Sequence, residues 1–184
     1  MNRSHRMHTR QTVLRRMCRT ALLTALICVL SVISIPIGAV PLTLGLLGIF
    51  LCGLLLPPTD ACAAVGGYLL LGALGLPVFA GMQSGIGILA GPTGGFLWGY
   101  LPTVWFLSGL VRRTERTAPR LICGMAALAL LYLCGTVQFL AIAGVSLSAA
   151  LAVCVGPFVL PDTVKLACAY ILSVRLRRIL GHHL

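Results

Sequence analysis

The sequence predicts an all-α membrane protein with six transmembrane helices and both termini in the cytoplasm. Three observations lead there. Hydrophobic residues make up 59% of the 184 and charged residues only 9%, with a mean hydropathy of +1.03, whereas a soluble domain carries about 25% charge. Clusters of Gly and Pro cut the apolar sequence into pieces of helix length. The basic residues are gathered at a few points between those pieces. With about 20 residues per span, such a chain has no room for a separate soluble catalytic domain, so one membrane domain is expected over residues 18–180.

Residues 1–17 read as a basic cytoplasmic tail, disordered or lying on the membrane surface, with His5 and His8 in it. A first helix is expected over about 18–35, uncleaved, since no small-x-small site followed by polar sequence closes the apolar run. Pro36, Gly38 and Pro41 break it. A second helix covers about 42–56. Pro57-Pro-Thr-Asp60 turns the chain, and Thr59 or Asp60 can cap a third helix over about 60–74. Residues 75–95 then hold seven glycines and two prolines. An ordinary helix does not tolerate that density, at about 1 kcal/mol per Gly and 3 per Pro. A fourth helix follows over about 93–111, then the polar loop 112–120, then a fifth helix over about 120–143. Residues 144–161 are apolar but interrupted by Gly144, Gly156, Pro157 and Pro161, which predicts a short helix between two turns. A sixth helix covers about 161–180, and 181–184 form a C-terminal tail.

Charge sets the topology. Six Arg lie at positions 3–19, four at 112–120 and three at 175–178. With a cytoplasmic N-terminus and six spans, every Arg falls inside, and the three Gly/Pro-rich connections, free of Lys and Arg, fall outside. An odd number of spans would put an Arg cluster on the wrong side. The net charge of +11 is thus a topology signal that can also favour anionic lipid head groups. It does not point to nucleic acid.

Few residues can carry chemistry. The acids are Asp60, Glu115 and Asp162. Glu115 reads as a solvated partner for the Arg around it. Asp162 lies three residues before Lys165, the single lysine, so the two share a helix face. Such a pair in an apolar helix is costly unless paired internally or facing a polar cavity. It reads either as a structural ion pair capping the helix or as a ligand contact. The eight Cys form no CxxC and no zinc spacing, and all four His lie in the terminal tails. Gly85-x-Gly87-x-x-Ala90 lacks the βαβ context of a dinucleotide fingerprint. No nucleotide-binding, metal or catalytic set can be assembled, so an enzyme is not expected. Ala21 and Ala25 form a small-xxx-small pair that permits close helix approach, either within the chain or to a partner.

Gly75-Leu-Pro-Val-Phe-Ala-Gly81, Gly91-Pro-Thr-Gly-Gly-Phe-Leu-Trp-Gly-Tyr100 and Pro157-Phe-Val-Leu-Pro-Asp-Thr-Val-Lys165 together closely resemble the BioY family. These are the biotin-specific substrate-binding (S) components of energy-coupling factor (ECF) transporters. Val40-Pro-Leu-Thr-Leu44 resembles the family's first outer loop. The resemblance implies a six-helix S-component fold in the bacterial cytoplasmic membrane, with biotin held near the outer face and no cofactor. It implies a transmembrane coupling subunit that meets Ala21 and Ala25, and two cytoplasmic ATPase subunits.

For biotin, Phe79, Phe96, Tyr100 and Phe158 can wall the apolar body of the ligand. Gln83, Thr93 and Asp162 can bond its ureido group, and Thr43 and Gly91 complete the loop contacts. Lys165 is the best candidate for the carboxylate, unless it pairs with Asp162. The rival readings are an S component for a different small vitamin and a non-transport membrane protein.

Overall fold

The structure is a computed structural model that describes residues 3–114 and 116–180. Glu115 and the 181–184 tail lie outside the described residues. No Gly or Pro precedes Pro36, and Arg, Gln, Met and Leu are good helix formers. Helix α1 accordingly runs from Arg3 to Val32. The basic segment expected as a tail thus continues the first helix from Arg3 onward.

The prolines and glycine after it do more than break the helix. Strands β1 (Ser34–Ile37) and β2 (Val40–Thr43) pair antiparallel, with Ser34 opposite Thr43 and Ile37 opposite Val40. The all-helix expectation missed this hairpin. Its two-residue turn has Gly38 at φ +71°, the glycine-first pattern of a type II′ turn. Pro36 and Pro41 face each other, tolerable because a two-stranded ribbon is all edge. Residues 42–43, expected in the second helix, belong to β2 instead.

Helix α2 (Gly45–Leu55) is the hub. Ile49, Phe50, Leu51 and Cys52 are almost wholly buried, and α2 packs against α1, α5 and α8. Helix α3 (Pro58–Ala73) starts with Pro57 at the cap position and makes no side-chain cap hydrogen bond. Asp60 is therefore not the expected cap. It lies in the first turn, where a carboxylate suits the helix dipole, and pairs with Arg16 of α1 through Nε at 3.0 Å and Nη2 at 2.5 Å.

After a single turn at Ala80–Met82 come α4 (Ile86–Ala90), α5 (Gly94–Val111), α6 (Thr117–Ala143), α7 (Leu147–Cys154) and α8 (Val159–Leu180). The expected short helix in 144–161 is α7, capped by Ser146. Among the described residues, α6 is by length and composition the one single helix long and apolar enough to cross a membrane. So is the pair Leu147–Cys154 and Val159–Ile179 taken together, bent by 43° at its break. Large apolar side chains such as Leu22, Leu70, Trp105, Ile122 and Leu133 are exposed along the bundle. An apolar exterior over an apolar core suits a protein solvated by lipid.

The two ends of the bundle differ. At one end Arg16 meets Asp60, the Arg177 guanidinium of α8 donates to the Leu54 carbonyl, and Ser108 Oγ donates to the Leu56 carbonyl at 2.6 Å. Asp162, in the first turn of α8, is 15 residues from Arg177. At 1.5 Å per residue it stands about 22 Å away, at the end that carries the hairpin and the glycine-rich loop.

Candidate functional site

A cavity of about 460 Å³ opens at that second end. It lies within the range of small-molecule sites, roughly 300–1,000 Å³. The hairpin gives it one wall, including Val40 and Thr43, and residues 79–83 give another. Helices α5, α6 and α8 close the floor and the remaining sides.

Nine of the ten substrate-binding residues expected from sequence line it. Phe79, Phe96, Tyr100 and Phe158 form aromatic walls, with Phe79 1% and Phe158 4% exposed. Gln83 is exposed at the rim and Thr93 half-buried in the wall, and Thr43 faces in from β2. Asp162 and Lys165 also line it. Gly91 does not. Its carbonyl lies behind the wall, where it accepts a hydrogen bond from Gln138 Nε2 at 2.8 Å.

The acid and the lysine pair with each other. Lys165 Nζ donates to Asp162 Oδ1 at 2.7 Å, with both side chains less than a tenth exposed. Asp162 Oδ2 accepts from the Tyr132 hydroxyl at 2.8 Å. Both carboxylate oxygens are engaged, and the pair is neutral as a unit. Lys165 keeps two further N–H donors, and the Asp162 oxygens keep free lone pairs. The site therefore presents an adjacent donor and acceptor without net charge. Among the described residues they are the only charged ones in the lining.

Sequence reasoning missed Tyr132, which lines the cavity from α6. The signal was present: a phenol in an apolar helix needs a hydrogen-bond partner. Gln138, one of the few polar side chains of α6, was missed for the same reason. Ala21 and Ala25 lie far from the cavity. Both are exposed, beside exposed Leu22, Leu26 and Val29, so they do not pack inside the bundle.

The chain matches the model of the BioY family over residues 2–182. It is 37% identical over 166 residues to a protein of Thermotoga maritima named biotin transporter BioY, covering 90% of this chain and 98% of that one. It is 39% identical over 163 residues to biotin transporter BioY2 of Lactococcus lactis, covering 88% and 90%. Among solved structures, the fold is similar to a crystal structure described as the S-component for biotin from an ECF-type ABC transporter. That likeness has a TM-score of 0.85 and 24% identity over 97% of this chain and 95% of the other.

Proposed function

We propose, from the premise that this chain belongs to the BioY family, that it is the biotin-binding component of a membrane transport system. The observation that carries the proposal is the buried, neutral Asp162–Lys165 pair beneath aromatic walls. Biotin's ureido group is neutral and offers a carbonyl beside N–H donors. Lys165 can donate to that carbonyl while Asp162 accepts from an N–H. A ligand carboxylate placed there would meet Asp162. The biotin carboxylate is therefore assigned to the open rim near Gln83, where water reaches it, and Lys165 serves the ureido group.

Binding of biotin analogues to the purified protein tests this. Biotin amide, with a neutral tail, is expected to bind within about tenfold of biotin, because a solvated carboxylate contributes about 1 kcal/mol or less. Iminobiotin turns the ureido acceptor into a donor facing Lys165. It is expected to bind at least about 100-fold more weakly, the cost of an unmade hydrogen bond to a charged group plus desolvation. Equal losses for both analogues would sink the assignment. Tighter binding of thiamine or riboflavin than of biotin would sink the ligand.

The same proposal places α1, α2, α3, α5, α6 and α8 across the bacterial cytoplasmic membrane, with both termini inside and the cavity outward. The Arg clusters then face anionic lipid head groups. Energy comes from a transmembrane coupling subunit and two cytoplasmic ATPases, and the protein uses no cofactor of its own. The exposed Ala21/Ala25 face is the docking surface for the coupling subunit. Ala25→Trp is expected to leave biotin binding unchanged and to reduce coupled uptake at least about tenfold, the tolerance of a close helix contact to overpacking. Normal uptake by that variant would place docking elsewhere.

A further inference from the structure

Outside the cavity, one polar side chain holds the backbone that forms its wall. Gln138 Nε2, on α6, donates to the Leu89 carbonyl at 3.0 Å and to the Gly91 carbonyl at 2.8 Å. Trp98 Nε1 adds a second donor to the Leu89 carbonyl at 3.2 Å. The Leu89 carbonyl lies in the last turn of α4, where helical partners run out, and the Gly91 carbonyl also accepts from the Gly94 N–H at 3.0 Å. Ile88 and Thr93, which flank them, line the cavity, and Gln138 does not. The contact is close because Gly94 and Gly95 carry no side chains. A Cβ on Gly94 would come within 2.7 Å of Gln138 Nε2, and one on Gly95 within 2.6 Å of the Cys134 carbonyl.

The two halves of the glycine-rich loop are held differently. Residues 86–95 are stapled to α5 and α6. Residues 75–85 carry Gly75, Gly81 and Gly85 at positive φ with open space where a Cβ would stand; they are tied to the hairpin by Gly81 N–H to Ser34 Oγ at 2.9 Å, and to α3 by Gly85 N–H to the Gly72 carbonyl at 2.8 Å and by the buried Phe79 ring.

We propose that Gln138 is a positioning residue that sets how long the ligand stays, by stapling the 86–95 wall to α6. As a statement about ligand release it rests on the biotin reading of the cavity. Its physical content is the staple, which exists with or without ligand. Gln138→Met keeps the length and removes the donors. Gln138→Glu keeps length and polarity and is acceptor-only when ionised. Gln138→Lys keeps donors.

Two measurements on the full chain in lipid nanodiscs test it. In ligand-free protein, amide exchange across residues 86–95 is expected to be about tenfold faster in the Met and Glu variants, for two lost hydrogen bonds, and near wild type in the Lys variant. With labelled biotin bound, release is expected to quicken by a similar factor in Met and Glu, with association little changed. Unchanged exchange in Met and Glu overturns the staple whether or not biotin binds. Faster exchange with unchanged release overturns the residence role. Equal effects in all three variants make Gln138 a packing residue and also overturn the proposal. Wild-type protein that binds no biotin, yet shows the exchange differences, overturns the ligand reading and supports the staple.

Discussion

Lys165→Met is expected to abolish high-affinity biotin binding and to lower the melting temperature of the purified protein. The two effects have different sources and can be separated. Lys165 and Asp162 are both buried and bonded at 2.7 Å. Removing one partner strands the other, at a cost of about 3–5 kcal/mol. The ligand also loses a charged donor, worth about 1.5–3 kcal/mol, which alone weakens binding by roughly ten- to 150-fold. The double variant Asp162→Asn/Lys165→Met removes both charges. It is expected to recover most of the lost melting temperature, because no buried charge is left unpaired, and to stay unable to bind. Tyr132→Phe removes one of the Asp162 partners and is expected to weaken binding about three- to tenfold, for one hydrogen bond. Titration with labelled biotin, with thermal melts on the same samples, checks all three. A Lys165→Met protein that binds biotin normally would remove the pair from the site.

Residue chemistry made much of this arrangement legible in the sequence. The Gly and Pro clusters mark the helix ends because they act on the backbone locally. Asp162 and Lys165 were legible as a pair because three residues on a helix is a fixed geometry. What sequence spacing does not report is which helix faces which. Tyr132 reaches Asp162 across 30 residues, and Gln138 reaches Gly91 across 47. Both are polar groups in an apolar helix that the sequence reading passed over, and their partners follow only from the packing of α6 on α5 and α8. The hairpin was missed because its two prolines read as breakers. They do break the helix, and they also fit a ribbon whose edges are both free. Gly91 is expected in the site from its place in a glycine-dense run, whereas in the structure it is absent from the cavity lining and its carbonyl accepts from Gln138.

Gly72 shows how a residue with no chemistry can set the shape of the cavity, and Gly72→Ala is expected to weaken biotin binding by tenfold or more. Tyr68 and Gly72 are one turn apart on α3, so they share a face. The Phe79 ring sits on that face, edge-on to Tyr68 with centroids 5.5 Å apart and planes at 81°. A Cβ on Gly72 would approach three atoms of the Phe79 ring, with Cε2 at 2.7 Å the farthest of them. Phe79 is 1% exposed and also lines the cavity. With α3 behind it, the displaced ring moves into the space where the ligand binds. Overpacking of this kind costs about 1–3 kcal/mol, and here the cost falls on ligand volume as well as on stability. The double variant Gly72→Ala/Phe79→Leu returns the space and is expected to bind better than Gly72→Ala alone. If Gly72→Ala binds like wild type, or if Phe79→Leu gives no rescue, the ring does not set the pocket. Gly135 lies under Phe96 in the same way. Two aromatic lining residues therefore rest on glycines of different helices, α3 and α6. The space left for a ligand depends on how closely these rings approach bare backbone, and a single methyl on either helix is expected to push one of them into it.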